Sequence, residues 1–253
     1  MAQAMRKLES VPDPVRQARI DLAACHRLAH RMGFDDTIYN HFTYMVPGHK
    51  DRFLVKSHGL LMSEITASNL IVVDAKGKTL EGDGWVEASA LYIHAPVHMN
   101  VPNAVCCLHA HPPYATWLTQ LEDNEIMMIN QDSPRFFERV TYDNRFEGTA
   151  VVADEGARLA RGFGNKRILM SANHGVTVIA PNAAEAFYDL YYIERVCRWQ
   201  YLLACSGKTP RLIPDETVRK TAEELNAEFE QGAKLMFEAF KRELDREEPD
   251  YKN

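Results

Sequence analysis

The sequence predicts an α/β protein with helices on both faces of one sheet. Three observations predict it: helical periodicity near the start of the chain, a middle of short apolar runs separated by turns, and strongly helical stretches towards the end. At 253 residues the chain is long enough for one large domain or two small ones.

Residues 13–33 place Val15, Ile20, Leu22, Ala23 and Leu28 on one stripe of a helix that Gly33 stops. Thr43–Val46, Phe53–Val55 and Leu70–Asp74 read as strands, with turns at Pro47-Gly48, His58-Gly59 and Asp74–Gly77. Residues 87–100 read as a helix with Glu87 near its start, and Pro96 is a defect in that helix. Ala104–His111 is a strand, ended by Pro112-Pro113, which also allows a new helix to begin. Ala153–Phe163 is a helix closed by Gly162 and Gly164. Two strands follow, Arg167–Ser171 and Val176–Ala180, joined by Asn173-His174-Gly175. Asn182–Cys205 is a helix ended by Ser206-Gly207. Asp215–Leu244 reads as one further helix, packed through Leu225, Phe229, Leu235, Phe237 and Phe240.

Composition removes several classes of function. Hydrophobic residues make up 46% and charged residues 25%, enough for a sizeable core. The net charge is −6 and no dense Lys/Arg run occurs, which argues against a nucleic-acid surface. The five cysteines are odd in number and show no framework spacing, so structural disulfides are not expected. Met1–Pro14 lacks the apolar core of a signal peptide, and no window approaches the roughly 20 apolar residues of a membrane span. The expectation is a cytoplasmic protein with a small-molecule substrate.

Chemistry concentrates in Val105-Cys106-Cys107-Leu108-His109-Ala110-His111. Alternate residues of a strand share a face, so His109 and His111 point the same way, about two rises of 3.3 Å apart. Both imidazoles can then meet one ion, while Leu108 and Ala110 fill core on the other face. The best third ligand is His174, in a tight turn where Gly175 tolerates positive φ. Three neutral imidazoles with an open position describe a catalytic metal site. Taken alone, His-x-His is a common pattern. Two further pairs, His26/His30 and His94/His98, have helical i,i+4 spacing, and the first of them reads as lying on a solvated face.

Four stretches, in order across roughly residues 17–205, resemble the class II aldolase/adducin family, which includes L-fuculose-1-phosphate aldolase and L-ribulose-5-phosphate 4-epimerase. They are GFDDTIYNHFTYMV (33–46), FLVKSHGLLMSEITASNLIVVD (53–74), IHAPVHMNVPNAVCCLHAH (93–111) and SANHGVTVIAPNAAEAF (171–187). The resemblance implies a three-layer α/β/α fold around a mostly antiparallel sheet. It implies one such domain over residues 1–253, with a helical tail from about 208 to 253. It also implies a homotetramer with active sites at subunit interfaces, and carries the metal role onto His109, His111 and His174. Zinc is the first choice of ion, with manganese, iron and cobalt also suited to three imidazoles.

The chain departs from the family pattern at the acid/base. The sugar-phosphate aldolases carry a glutamate four residues before the histidine matched by His94, and here that residue is Ala90. Residues 87, 90, 91 and 94 share a helix face, so Glu87 can reach the cleft as catalytic acid/base or supplementary ligand. Its alternative role is a carboxylate at a positive helix N-terminus. The family's substrate positions match Asn40, His58, Gly59 and Ser89, with His58 in place of a usual hydroxyl and Lys56 beside it. A Lys/His pair suits a carboxylate as well as a phosphate; the alternative for Lys56 is a solvated charge at a strand end. His94 reads as a structural histidine or one that orients a ligand. The function expected is a divalent-metal-dependent lyase that breaks a C–C bond through a metal-stabilised enolate. A fuculose-phosphate-like aldolase comes first, with a decarboxylase of a hydroxy- or oxo-acid and a non-catalytic adducin-like scaffold as alternatives.

Overall fold

A computed structural model describes residues 13–146, 148 and 153–253, the last span without the side chains of residues 153–155. Of the Met1–Pro14 segment, residues 1–12 therefore lie outside the described residues. The strands are β1 (His41–Met45), β2 (Arg52–Lys56), β3 (Leu70–Asp74), β4 (Thr79–Glu81), β5 (Cys106–Ala110), β6 (Val140–Asp143), β7 (Ile168–Ser171) and β8 (Gly175–Ala180). They form one sheet in the order β4-β3-β2-β1-β5-β8-β7-β6. Every neighbouring pair is antiparallel except β6 with β7. The helices are α1 (Pro14–Arg31), α2 (Ala88–Asn100), α3 (Pro113–Thr119), α4 (Ala153–Phe163), α5 (Ala183–Ser206), α6 (Asp215–Ala227) and α7 (Phe229–Glu247).

Side-chain alternation sorts the sheet into two faces. Phe42 of β1, Leu54 of β2, Leu108 of β5 and Val178 of β8 join Leu22 and Leu28 of α1 and Phe187 and Ile193 of α5 in the larger core. Cys107 and Ile179, each one residue out of that phase, meet Ile93 and Val97 of α2 and Leu159 and Phe163 of α4 on the opposite face. Burying each such Leu or Phe contributes about 1.5–3 kcal/mol, and both faces must be covered for the sheet to persist. The result is α1, α5 and α7 on one side and α2 and α4 on the other.

Local chemistry sets the helix ends. The Asp13 side chain accepts the Val15 N–H at 2.9 Å to start α1, and Gly33, with φ +69°, turns the chain out of it. Asn182 caps α5 by accepting from Glu185 N at 2.9 Å, and Glu185 Oε1 accepts from Asn182 Nδ2 in return.

Several expectations need correction. The α2 helix continues through Pro96. Proline has no N–H to give Tyr92, four residues back, and that carbonyl faces Gly156 of α4 so closely that a Cβ there would lie 1.7 Å from it. The tail is two helices rather than one, broken at Glu228 (φ −99°, ψ 0°), which turns Phe229 onto Tyr188. Leu235 is 61% exposed and packs nothing, whereas Phe229 and Phe237 are buried. His26 is fully buried against Phe42 rather than solvated. The short β4, β6 and α3 carry too few residues to show a period.

Candidate metal centre

β1 and β5 are antiparallel with His41 opposite His109, so the residues in phase with them share the α2 face at the end of the sheet. His109 leaves β5 on that face, and His111 follows just beyond the strand. His174 comes from the turn between β7 and β8. The positive φ in that turn belongs to Asn173 (+54°) and not, as expected, to Gly175. Gly175 is required by space: a Cβ there would meet His111 Cδ2 at 2.6 Å and the Ala110 carbonyl at 2.7 Å.

The three rings converge. Centroid distances are 5.1 Å for His109–His111, 4.7 Å for His109–His174 and 4.9 Å for His111–His174. One ring nitrogen from each lies within 4.8 Å of the others, and this is the group of metal-ligating side chains found among the described residues. His109 Nδ1 is 3.1 Å from Thr177 Oγ1 and His111 Nδ1 is 3.3 Å from Asp36 Oδ2, contacts that fix ring orientation and turn each Nε2 towards the others. His111 Nε2 is buried and has no hydrogen-bond partner. An orphaned imidazole nitrogen facing two others is the donor set a divalent cation completes, so these residues fit such an ion. Burial, with neighbouring imidazoles adding to it, holds His109 well below its ordinary pKa and brings His174 down to about 4. Both are thus held neutral, the form that could ligate a cation.

The triad opens on a cavity of about 380 Å³ whose lining includes Asn40, Lys56, His58, Glu87 and Ser89. A model of the Class II Aldolase and Adducin N-terminal domain matches residues 20–201. The chain belongs to the class II aldolase/adducin family. A solved aldolase II superfamily protein from Pseudomonas syringae is 30% identical, with a TM-score of 0.90, over 97% of this chain and 98% of that one. The L-fuculose 1-phosphate aldolase of Glaciozyma antarctica shares the fold at 23% identity, with a TM-score of 0.83, over 98% and 97% of the two chains. The decarboxylase NovR of Streptomyces niveus is 28% identical over 78% of this chain and 73% of its own.

Against the family's pattern, the cavity places the other expected residues as follows. Ala90 lies on the wall, and Glu87 lines the cavity from the α2 N-terminus. Glu87 also caps that helix, accepting from Ser89 N at 2.8 Å and Ala90 N at 3.3 Å, so its two readings are compatible. Asn40, at φ +60°, is 3% exposed, and both polar atoms of its amide are buried without a partner. Lys56 is buried rather than a solvated strand end. Its Nζ donates to the Ile38 carbonyl at 2.5 Å and to Leu60 O at 3.2 Å. Burial brings Lys56 down to about 8, against the pull of Glu87. His58 sits between Trp85 (4.5 Å) and Tyr39 (6.1 Å) at the cavity wall. Gly59, φ +94°, shapes the turn after Lys56 but does not line the cavity.

Sequence reasoning missed Asp36, Thr177, Thr43 and the tie between His41 and α2. His41 Nδ1 is 2.8 Å from His94 Nε2, and Thr43 Oγ1 lies 2.5 Å from His94 Nδ1 and 2.6 Å from His98 Nε2. The usable signal was His41/Thr43 at strand spacing facing His94/His98 at helix spacing.

Proposed function

We propose that the chain is a divalent-metal-dependent lyase that breaks a C–C bond of a small oxygenated substrate, with aldol cleavage as the first reading. The observation that carries it is three imidazoles converging at the mouth of a cavity that also holds Glu87, Lys56 and Asn40. An ion held by His109, His111 and His174 would supply Lewis-acid polarisation of adjacent substrate oxygens, and zinc is the first choice for three imidazoles. The unpartnered Asn40 amide accepts and donates to the substrate, recovering the cost of its own burial. Glu87 moves the proton, from a position one turn before the Ala90 that replaces the aldolase glutamate. His58 and Ser89 line the same wall, and Gly59 gives the loop its turn.

Decarboxylation of a hydroxy- or oxo-acid is the second reading, favoured by Lys56. An ammonium anchored by two backbone carbonyls keeps a third N–H for an anionic group of the substrate. The similarity to NovR supports this reading. A metal-free scaffold has no use for three imidazoles converging on one point, which weighs against the adducin-like alternative. Exposed Trp199 and Leu202 on α5 support self-assembly, for which we propose a tetramer with sites at its interfaces. No helix among the described residues is long and apolar enough to cross a membrane, and we propose a cytoplasmic location.

The test is reconstitution of chelator-treated protein with zinc or manganese, followed by a lyase screen of sugar phosphates against hydroxy- and oxo-acids. Metal-dependent aldehyde release supports the first reading, and metal-dependent CO2 release the second. Protein that binds no ion and folds normally without one would overturn both.

A further inference from the structure

The mouth of the cavity is built from exposed rings. Tyr39, Phe146 and the half-buried His58 line it, and the first two are each more than half exposed. The His58 ring stands between Tyr39, at 6.1 Å, and Trp85, at 4.5 Å, and Trp85 is also more than half exposed. One aromatic face turned to water is ordinary. Several gathered at the opening of a cavity mark a binding surface.

Backbone geometry holds these rings in place. Thr37 (φ +53°) and Asn40 (φ +60°) flank Ile38-Tyr39, and for a β-branched residue such as Thr37 that conformation is rare and strained. The Tyr39 N–H donates to the Asp36 carbonyl at 2.9 Å and closes this turn. On the other side, the His58 N–H donates to the Trp85 carbonyl at 2.9 Å. Gly84 (φ +123°) permits that approach, since a Cβ there would strike the Ser57 hydroxyl. A rim fixed in advance gives up little freedom when a ligand arrives.

The same two segments carry the positive charge beneath the rim. The Ile38 carbonyl accepts from buried Lys56 Nζ, so Tyr39 adjoins the anchor of the ammonium, and His58 lies two residues beyond Lys56. Lys56 is the one Lys or Arg among the described residues that line the cavity, against the carboxylates of Asp36 and Glu87. Its bonds to Ile38 and Leu60 leave a single N–H for a ligand. One N–H suits a carboxylate oxygen. A phosphate, with three strong acceptor oxygens and two carboxylates for neighbours, is served worse.

We propose that the cavity selects a hydroxy- or oxo-carboxylate bearing an aryl group, with Tyr39 and His58 as the residues that set this specificity. The carboxylate takes the free Lys56 N–H, and the aryl ring lies against Tyr39 and His58 at the mouth, where Trp85 backs His58. A flat ring adds edge-to-face and offset contacts with such residues that an alkyl group lacks. At about 380 Å³ the cavity is of the size that encloses a one-ring organic acid. The proposal rests on the lyase reading and names the class of molecule cleaved. Both aldol cleavage and decarboxylation admit it, because the ring stays clear of the bond that breaks.

The experiment is titration calorimetry on the full chain, metal-free and zinc-loaded, at pH 7, with four probes: 3-phenyllactate, 4-methyl-2-hydroxypentanoate, lactate and glycerol 3-phosphate. The wild type is expected to bind phenyllactate at least about tenfold more tightly than lactate or glycerol 3-phosphate, the return on covering one ring. The branched alkyl acid is expected to fall between phenyllactate and lactate. Phenyllactate that binds no better than the alkyl acid, no better than glycerol 3-phosphate, or not at all overturns the proposal. Tyr39→Ala combined with His58→Ala should erase the preference for phenyllactate over lactate, whereas Tyr39→Phe should keep it. Neither side chain is buried in the core, and the wild-type preference is decisive whether or not the double variant folds. If a second copy of the chain covers the rings instead, Tyr39→Ala changes the mass seen by light scattering and the wild type shows no aryl preference, which also overturns it. Binding is read without turnover, so a negative lyase screen would remove the proposed activity and leave this preference standing. A sugar phosphate cleaved by a protein with no aryl preference would remove only the present inference.

Discussion

Two sets of three histidines lie side by side on the α2 face of the sheet, and they differ in who satisfies their ring nitrogens. His41, His94 and His98 spend both nitrogens on each other, on hydroxyls and on the Ala104 carbonyl. His109 and His111 spend Nδ1 on Thr177 and Asp36 and leave Nε2 facing His174. His41 and His109 even stack, at 5.0 Å, as register partners on adjacent strands. Residue type and spacing do not separate a metal ligand from an interior histidine. The convergence of three rings, with nitrogens within 4.8 Å of one another, does.

The largest expected effect comes from removing a proposed ligand. His174→Ala should take the protein from about one bound divalent ion per chain to none, measured by elemental analysis after dialysis, because two imidazoles leave the ion's coordination unfilled. Full metal content in that variant would erase the contrast between the two sets. His26 provides a control outside both. It is fully buried on α1, and burial above all lowers it to about 3. Its folded pKa lies below the unfolded value, so the stability it permits is complete above about pH 6.5 and is lost as the pH falls towards 3. Relative to His26→Leu, the metal-free wild type should lose about 3 kcal/mol more unfolding free energy between pH 7.5 and 4.5, read by urea denaturation. Only the difference between the two proteins isolates the imidazole, because burial raises Glu194 to about 7 and works in the opposite direction over the same range.

Smaller effects should grade the supports of the triad. Thr177→Val removes a buried partner that nothing replaces, and zinc affinity should fall by about 100-fold. Asp36→Ala removes a carboxylate that is 54% exposed. Water can take its place, and the loss should be nearer tenfold. Competition with a chromogenic chelator measures both. Equal losses would show that burial of the partner does not matter.

The sheet and the outer helices were legible because alternation and helical period are written in consecutive residues, as in Cys106–Ala110 and Leu22–Leu28. His109, His111 and Glu87 could be singled out for the same reason. The break at Glu228 was not legible, since the apolar stripe continues across it and only Tyr188, far away in sequence, pulls Phe229 aside. Asp36 and Thr177 were invisible because each acts on a histidine in another element. Pro96 misled for a related reason: the surroundings of the Tyr92 carbonyl, left without a hydrogen bond by the proline, are set by Gly156 of α4, far away in sequence.

That crossing of α2 and α4 sets helix propensity against the site. Exchanging a mid-helix glycine for alanine ordinarily gains about 1 kcal/mol. At Gly156 the added methyl would strike the Tyr92 carbonyl and push apart two helices, one of which ends in Glu87 and Ser89. An engineer chasing thermal tolerance through better helix formers would therefore be detuning the reaction chamber from its far side.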